Sequence, residues 1–356
     1  MKILAIGDQH FKIDNICEIE IFINKIKEIV YKTKPDIIVL LGDLLHTHEK
    51  IHTSPLNKAL EFIDSLRKEA YVFVLVGNHD YINAVQFLSE NHWLNSLKEW
   101  NNVTIVDKVI SNIHHQNKII LLPYVHPGRF EEALNTIEGE WRDSCVIFCH
   151  QEFYGCSMGG YLSVEGDKWD LSNPQVISGH IHQRQKLQGN IYYTGSSMEV
   201  SFGETENNTI SLIELQENRI VKIEDIELNL SKKKIIYTTV DEVIKIDFDK
   251  FRESSDDKIK VSVSGGLEDF KCFKKTKQYQ ELIANDIKVV FKPKRIETKL
   301  KNETLDKILN DNCNEGGNFK KILLSIVESK KNPFLVEMYE LIINNRIVEA
   351  TDVMYL

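Results

Sequence analysis

The sequence has few cysteines for its length. Six are spread over 356 residues, and none forms a C-x-x-C pair. Structural zinc sites such as zinc ribbons use such pairs, so we expect none here. A chain of this length can bury a large core without covalent links, so a disulfide framework is not expected either. The cysteine content therefore favours a reducing compartment.

Long apolar runs are also missing. No run reaches the ~18 residues that a membrane-spanning helix needs. The first residues, MKILAIGD, contain one basic side chain and do not resemble a signal peptide. We therefore expect an intracellular protein, either cytoplasmic or associated with the nucleoid or nucleus, that has no membrane partner.

Positive charge is not in excess. Lys and Arg number 44 and Asp and Glu number 53, which gives a formal net charge of −9. This balance excludes a protein that coats nucleic acid by bulk charge. It leaves open a local basic groove, because net charge says nothing about where the charges lie.

What the sequence does contain is a regular alternation of buried strands and amphipathic helices near its start. Apolar, β-branched runs at Ile3–Ile6, Ile37–Leu41 and Tyr71–Val76 predict strands. The segments Glu18–Lys32 and Pro55–Lys68 carry apolar residues at helical spacing and predict helices between those strands. Strand–helix–strand repeats indicate an α/β fold with a mainly parallel sheet.

A series of short strands follows and predicts a second sheet packed on the first. They are Ile105–Ile110, Lys118–Leu122, Cys145–Cys149, Gln175–Ser178, Ile191–Thr194 and Thr209–Leu215. The polar segment Leu230–Ile235 is interpreted as a joint. Beyond it, a strand at Lys258–Ser264, a helix at Leu267–Ala284 and a strand at Ile287–Lys292 predict a small βαβ domain.

The remaining sequence predicts a helical tail after a basic linker. The predicted helices are Glu303–Asn310, Phe319–Glu328 and Phe334–Asn345. Three divisions result: a large domain at residues 1–234, a small domain at 235–296 and a tail at 297–356.

Five predicted strands are followed by residues that can bind metals. The motifs in chain order are DQH, GDLLH, GNHD, a single histidine and GHIH. Ligands bind at the carboxyl ends of strands in α/β sheets, so these side chains should converge. The candidate ligands are Asp8, His10, Asp43, Asn78, His150, His180 and His182. They suffice for two divalent ions if one carboxylate is shared.

Donor chemistry narrows the choice of metal. Imidazole and carboxylate groups without thiolates suit Mn²⁺, Fe²⁺ or Zn²⁺. Two such ions ~3.5–4 Å apart suit phosphoryl chemistry. Each motif alone would more often be an ordinary turn or a core histidine. The ordered set, with every motif after a predicted strand, favours a metal centre over that alternative.

These motifs resemble those of the calcineurin-like metallophosphoesterase superfamily, with all five in order over Asp8–His182. Within it, the chain is similar to the nuclease subunit of the SbcCD-type, or meiotic-recombination-type, DNA double-strand-break repair complex, including its phage or viral versions. GDLLH without a following arginine, GNHD in place of GNHE, the run His150-Gln151-Glu152-Phe153 and a small domain after the catalytic one carry that resemblance. It implies a two-sheet metallophosphoesterase sandwich flanked by helices, a βαβ capping domain and a C-terminal helical tail.

The resemblance implies a role for each candidate. One metal would be held by Asp8, His10, Asp43 and His182, and a second by Asp43, Asn78, His150 and His180. His79 would be the general acid for the leaving 3′-oxygen, a task that suits histidine near neutral pH. Asp80 would orient His79, and His46 would support the ligands from behind.

The resemblance also implies the activity and the partners. It predicts a Mn²⁺-dependent nuclease of DNA repair and recombination, with 3′→5′ double-strand exonuclease and single-strand endonuclease activity. The partners would be DNA, an SMC-like ATPase subunit docked on the helical tail, and a second copy of the chain contacting an amphipathic helix within Tyr81–Trp100. Arg129, Arg184 and Lys186 are candidate DNA-binding residues; taken singly, each fits a solvated surface better than a DNA contact.

Alternatives remain open for several of these interpretations. For the activity, the alternatives are a phosphodiesterase or phosphatase that acts on a small nucleotide or a phosphoprotein, and a metal-free scaffold. For the 81–100 segment the alternative is packing on its own sheet, and for the tail it is a small bundle on the capping domain. The complete ligand set argues against the scaffold, and the extra domain argues against a small-molecule enzyme.

Overall fold

The computed structural model describes residues 1–48, 50–203, 207–246, 248–251 and 257–293, together with Leu324, Val327, Glu328, Leu335, Val336 and Tyr339. The chain divides into two compact units, Met1–Lys292 and Pro293–Leu356. The basic linker and most of the helical tail expected from the sequence lie outside the described residues.

The described residues form fifteen strands. In chain order they are β1 (Lys2–Ile6), β2 (Ile37–Leu40), β3 (Tyr71–Leu75), β4 (Val103–Val106), β5 (Ile110–His114), β6 (Asn117–Leu121), β7 (Val146–His150), β8 (Gln175–Gly179), β9 (Gln185–Leu187), β10 (Ile191–Tyr193), β11 (Thr209–Gln216), β12 (Arg219–Glu227), β13 (Lys233–Thr239), β14 (Lys258–Gly265) and β15 (Lys288–Pro293).

The α-helices whose bounds lie within the same ranges are fewer. They are α1 (Ile16–Thr33), α2 (Thr53–Leu66), α3 (Phe130–Leu134), α4 (Val240–Val243), α5 (Leu267–Phe273) and α6 (Lys277–Ala284). Both predicted N-terminal helices are confirmed to within two residues. Helix α1 ends where expected: Lys34 adopts a left-handed conformation with φ of 45°, and its N–H bonds to the Val30 carbonyl before Pro35.

Two six-stranded sheets form the large domain. The first has the order β12-β11-β1-β2-β3-β4 and the second β5-β6-β7-β8-β10-β9. Strands β1 to β4 are parallel to one another, and so are β6, β7, β8 and β10. All five motif-bearing strands, β1, β2, β3, β7 and β8, therefore end at a carboxyl edge of a parallel region.

Side-chain alternation explains how the layers pack. Leu4 and Ile6 join the cluster that contains α1 and α2, whereas Ile3 and Ala5 join the cluster between the two sheets. A strand buried on both faces needs apolar residues at every position, which is why β1 and β2 are continuous apolar runs. The predicted α/β fold with two stacked sheets flanked by helices is confirmed.

The segment predicted to be the capping domain forms a small sheet with its own core. The sheet order is β13-β14-β15, with β13 parallel to β14. Instead of one predicted helix, α5 and α6 cover this sheet, and the Thr276 hydroxyl caps α6 by accepting from the Tyr279 N–H at 3.3 Å. The core cluster includes Val261, Phe270 and Leu282.

The interpretation of Leu230–Ile235 as a polar joint is wrong, because strand β13 begins at Lys233. The Lys233 side chain is only 8% exposed. Its ammonium group lies 3.0 Å from a Glu18 carboxylate oxygen and donates to the Glu199 carbonyl at 2.7 Å. A lysine can therefore occupy a buried strand position here because its charge is paired.

The amphipathic helix expected within Tyr81–Trp100 is also not found. This segment contains one short 3₁₀ turn, Trp93–Leu97, whose Leu94 and Leu97 are buried in the large domain. Side chains compete for the backbone here: Asn83 Oδ1 accepts from the Val85 N–H at 3.2 Å, which favours a turn over a helix. The segment packs on its own domain, and the homodimer stays a prediction.

One predicted strand proved to be two. The run Ile105–Ile110 divides at Asp107 into β4, which belongs to the first sheet, and β5, which belongs to the second.

Among the described residues, no helix combines the length and apolar character that crossing a membrane requires.

Candidate metal centre

The loops after the motif-bearing strands have an unusual backbone. Asp8, His10, Asp43 and His180 all have positive φ values, between 45° and 78°. Non-glycine residues rarely adopt this conformation, and strained residues of this kind cluster at functional sites. Here the strain turns four candidate ligands toward one region at the carboxyl edge of the sheets.

Glycines allow these loops to approach one another closely. A Cβ atom on Gly42 would lie 2.6 Å from His150 Nδ1, and one on Gly77 would collide with the carboxylate and backbone nitrogen of Asp43. The glycines of GDLLH and GNHD are therefore needed for packing, beyond any turn they form.

The first ligand group combines Asp8, His10 and His182. One ligand atom from each lies within 4.8 Å of the others. The Nε2 atoms of His10 and His182 are 3.0 Å apart. Asp8 is fully buried, and its carboxylate accepts from the His180 backbone N–H at 3.0 Å, which fixes its orientation.

The second ligand group combines Asp43, His150 and His180, again within 4.8 Å. Asn78 completes it, since Asn78 Oδ1 lies 3.0 Å from His150 Nε2 and 2.8 Å from His180 Nδ1. The His150 Nδ1–H donates to the Leu41 carbonyl at 2.7 Å, which leaves Nε2 as the nitrogen that can coordinate a metal.

Asp43 lies between the two groups. Its Oδ2 atom is 3.6 Å from His10 Nε2 and 3.4 Å from His150 Nε2. Its Oδ1 atom accepts from the His79 backbone N–H at 2.8 Å. Asp43 is thus the residue placed to serve both groups, and all seven predicted ligands come together.

The donor set fits two divalent cations. Ligand atoms at right angles around an ion with bonds of ~2.1 Å lie ~3 Å apart. The separations of 2.8 to 3.6 Å between neighbouring donor atoms match that spacing. Imidazole nitrogens with carboxylate and amide oxygens are also the mixture expected for first-row transition ions.

The protonation of these groups supports the same conclusion. Burial lowers the pKa of His10 and His180, and lowers the pKa of His182 to about 4, so all three rings are neutral at pH 7 and can coordinate. Burial opposes charge on His150 too, but the Asp43 and Asp8 carboxylates outweigh it and raise the pKa of His150 to about 9. A cation in this group would take the place of that proton.

His79 lies at the side of the first group. Its ring centroid is 4.9 Å from that of His10. Its Nδ1 atom is 2.7 Å from the His46 carbonyl oxygen, which can only accept, so Nδ1 carries a proton. Nε2 is then the atom through which His79 can exchange a proton with a substrate.

Comparison with known proteins agrees with this geometry. Residues 1–184, which include every candidate ligand, match the family described as calcineurin-like phosphoesterase. "Putative phosphoesterase 078R" of invertebrate iridescent virus 3 is 45% identical over 296 residues, 83% of this chain and 85% of that protein. "Putative phosphoesterase 244L" of invertebrate iridescent virus 6 is 47% identical over 283 residues, 78% of this chain and 98% of that protein. The chain belongs to the calcineurin-like phosphoesterase family.

The solved structures are less similar to this phosphoesterase than the two viral proteins are. A novel archaeal phosphodiesterase is 16% identical with a TM-score of 0.36, over 64% of this chain and 100% of that one. YfcE, a phosphoesterase from E. coli, is 14% identical with a TM-score of 0.33, over 64% and 100% of the two chains. Family membership makes the protein a metal-dependent phosphoesterase, a hydrolase, and the two ligand groups are its candidate metal sites.

Asp80 is placed differently from the expectation. Its carboxylate accepts from the backbone N–H groups of Gly77, Leu44 and Leu45 and from Trp93 Nε1 at 2.9 Å, and within the described structure it makes no hydrogen bond with the His79 ring. It therefore joins the GDLLH and GNHD loops of the phosphoesterase to each other and affects His79 only through the backbone.

His46 lies where a supporting residue should. Its Nδ1 atom is 3.3 Å from His10 Nδ1, and its ring is parallel to that of His79 within 9°, with centroids 5.6 Å apart. Burial lowers the pKa of His46. The ring thus contacts a candidate ligand and the candidate acid at once.

Sequence reasoning missed two residues of the phosphoesterase site. His48 stacks on His79, and Glu152 places an oxygen 3.9 Å from His180 Nε2, on the side of the ring away from Asn78. A carboxylate behind a metal-binding histidine is a common arrangement that fixes the ring. Glu152 was recognised only as part of a family motif, and a second histidine in HTH was the available signal for His48.

The three candidate DNA-binding residues differ in position. Arg129 is held by both carboxylate oxygens of Glu132 and lies over the Phe87 ring at 3.5 Å, so it is engaged within the protein. Arg184 pairs with Asp225 at 3.1 Å and lines a cleft next to His182. Lys186 is exposed on β9. Arg184 is the one among them that lies beside the metal centre.

Proposed function

We propose that this phosphoesterase is a metal-dependent DNA nuclease that hydrolyses phosphodiester bonds at the two ligand groups. The observation that carries the proposal is the placement of Asp43 between Asp8, His10 and His182 on one side and Asn78, His150 and His180 on the other, with His79 adjacent. When bound, two divalent cations would neutralise the phosphate charge and lower the pKa of water. Mn²⁺ is the proposed ion.

The chain's own residues supply positioning and a proton. The His79 backbone N–H holds Asp43 Oδ1, and the His46 carbonyl holds His79 Nδ1–H, so the loop that carries the acid also orients the shared carboxylate. Protonated His79 can then deliver the Nε2 proton to the leaving 3′-oxygen. Metal binding and proton donation to the leaving group are thus assigned to different residues.

The nuclease branch is favoured over a small-molecule phosphodiesterase by the GDLLH and GNHD motifs and by the capping domain that follows the catalytic one. By the same resemblance we propose 3′→5′ exonuclease activity on duplex DNA, endonuclease activity on single strands, a homodimer, an SMC-like ATPase partner and an intracellular location.

The decisive experiment offers the purified protein several substrates with Mn²⁺. Duplexes labelled at the 3′ or the 5′ end, a circular single strand and bis(p-nitrophenyl) phosphate are incubated in parallel. We expect cleavage of all four, with single nucleotides released from the 3′ end. Hydrolysis of the small ester without cleavage of any DNA would contradict the nuclease proposal and leave a small-molecule phosphodiesterase.

The partner is tested separately. A variant ending at Lys301 removes most of the tail and keeps the whole unit Met1–Lys292. We expect it to retain nuclease activity and to lose co-purification with an SMC-like ATPase. Retained co-purification would place the docking surface elsewhere.

A further inference from the structure

A cleft of about 610 Å³ opens beside the candidate ligands His180 and His182. Its lining includes Tyr161, His180, His182, Arg184, Phe202 and Asn208. Binding pockets for small organic ligands measure ~300–1,000 Å³, so the cleft is much larger than a phosphate group needs. The mechanism above uses only its two histidines.

One wall of the cleft is an ordered hairpin. Backbone hydrogen bonds join Gly155 to Ser163 at 2.8 Å and Met158 to Tyr161 at 2.9 Å. The Gln185 side chain clamps the hairpin, accepting from the Ser157 N–H at 2.8 Å and donating to the Ser157 carbonyl at 2.9 Å. Tyr161 is thus 64% exposed yet carried by a fixed backbone.

A second segment of the lining carries another ring. Phe202 lies under the Lys260 ammonium group, 5.7 Å from the ring centroid. Its neighbour Gly203 is held by a hydrogen bond from its N–H to the Lys233 carbonyl at 3.0 Å. The cleft therefore has an aromatic ring on each of two segments and a cation from the capping domain at its edge.

The lining is also polar. Amide and hydroxyl side chains reach it from three segments of the chain: Gln183, the pair Thr194 and Ser196, and Asn208. Arg184 adds a guanidinium group whose side chain is 40% exposed, although it is paired with Asp225. Aromatic rings and hydrogen-bonding side chains that line one cleft are the features that recognise an unpaired nucleobase and its sugar.

The position of His79 indicates which of the two nucleosides beside the scissile phosphate would occupy the cleft. His79 lies beside His10 and is not among the described residues that line the cleft. The leaving oxygen must be near the acid, so the cleft serves the part of the substrate that stays on the phosphorus. In a nuclease that releases 5′-phosphates, that part is the nucleoside on the 5′-oxygen.

We propose that this cleft binds the nucleoside attached through its 5′-oxygen to the scissile phosphate, with its base packed against the Tyr161 and Phe202 rings. The inference rests on the proposed function and deepens it by assigning a subsite. It requires an unpaired base at the scissile phosphate, as in a single strand or at a frayed duplex end, because a base enters the cleft only when it is unpaired. The terminal nucleotide would occupy the cleft before its release.

The test compares two esters with the same leaving group. Thymidine 5′-(p-nitrophenyl phosphate) has a nucleoside, and methyl p-nitrophenyl phosphate has a methyl group in its place. With Mn²⁺, we expect Tyr161→Ala and Phe202→Ala to raise KM for the thymidine ester about tenfold, since base stacking on an aromatic ring is worth ~1–3 kcal/mol. The methyl ester should be hydrolysed at the wild-type rate, and Tyr161→Phe should behave as the wild type.

A matched control and a binding measurement complete the design. Tyr154 is exposed on the same loop but lies outside the lining, so Tyr154→Ala should change neither ester. Calorimetric titration should show weaker binding of thymidine 5′-monophosphate to Tyr161→Ala, with binding of inorganic phosphate unchanged. If Phe202→Ala fails to fold, exposed Tyr161 alone decides the question.

The outcomes separate the two proposals. Hydrolysis of neither ester by the wild-type protein would contradict the phosphodiesterase function itself. Hydrolysis of both, with Tyr161→Ala and Phe202→Ala affecting the two esters equally or not at all, would overturn only the assignment of the cleft.

Discussion

The imidazole ring of His48 lies parallel to that of His79, with 4.6 Å between the ring centroids and 16° between the planes. His48 is itself fixed through Nδ1, which lies 3.3 Å from the Tyr81 carbonyl oxygen. The His46 ring is also parallel to His79, at 5.6 Å. The candidate acid thus has two parallel rings as neighbours. Stacking on them fixes the plane of the His79 ring, and with it the position of the Nε2 atom.

This stacking predicts that His48 positions His79 for catalysis. His48→Ala should lower kcat for DNA about tenfold and leave KM and metal content near their wild-type values, because the ring binds neither substrate nor metal. His48→Phe restores a flat ring and should recover most of the activity. Equal losses for the alanine and phenylalanine variants would show that stacking is not what matters.

A sharper prediction concerns His79 itself. His79→Ala should keep both metals and lose ~10²–10⁴-fold in DNA cleavage, the usual contribution of a general acid. The loss should be much smaller for bis(p-nitrophenyl) phosphate, whose leaving group departs without a proton. Metal content by mass spectrometry and rates on both substrates test this.

The control for that experiment is His52→Ala, which removes an exposed histidine ahead of helix α2. It should change neither rate. A His79→Ala variant that cut DNA at the wild-type rate would contradict the role of His79, and one that lost its metals would make it a ligand.

The convergence of the candidate ligands could be predicted from the sequence because they follow strands whose apolar runs are unambiguous. Strands β1, β2 and β3 are buried on both faces, so their bounds and their carboxyl ends can be inferred without knowing the fold. The order of the motifs then places Asp8, Asp43 and Asn78 at one edge.

Elements whose burial depends on distant partners could not be predicted in this way. Strand β12 carries charges at most of its exposed positions and is an edge strand, so its apolar pattern is weak. Lys233 appears to be a surface residue until Glu18 and Glu199 are known to surround it. Stacking between His48 and His79 depends on two loops that are far apart in the chain.

The shared position of Asp43 predicts an asymmetry among the ligands. Asp43→Asn should remove binding at both groups, whereas Asn78→Ala should weaken only the second. Because a ligand that binds the folded state raises stability by mass action, Mn²⁺ should raise the melting temperature of the wild type and EDTA should reverse this. We expect little Mn²⁺ effect on Asp43→Asn.

Metal stoichiometry provides the measurement. The wild type should bind two ions per chain, Asn78→Ala about one at moderate Mn²⁺ concentration, and Asp43→Asn fewer than one. Two ions bound to Asp43→Asn with unchanged affinity would show that this carboxylate is not shared.

A final prediction concerns stability away from the site. Asp107 accepts from His92 Nε2 at 3.2 Å and pairs with the Lys98 ammonium group at 2.5 Å. Partial burial would raise its pKa, but these two partners outweigh burial and lower the pKa of Asp107 to about 2. A depressed carboxyl pKa stabilises the fold above the unfolded-state value of ~3.9, and that contribution disappears as the pH falls toward 2.

Asp107→Asn should therefore lower the free energy of unfolding by ~1.5–3 kcal/mol at pH 7, the range for a hydrogen bond to a charged group. The difference between the two proteins should narrow between pH 4 and pH 2, because the Asp107 carboxyl of the unfolded wild-type chain is protonated first and that of the folded protein only near pH 2. Urea unfolding at several pH values measures this difference in the free energy of unfolding, since urea is uncharged and does not screen ion pairs.

Asp143→Asn is the matched control. Asp143 pairs with Lys118, but its side chain is 62% exposed, and surface ion pairs contribute little to stability. A deficit in Asp107→Asn that stays constant from pH 7 to pH 3 would mean that the shape of this side chain, and not its charge, stabilises the turn between β4 and β5.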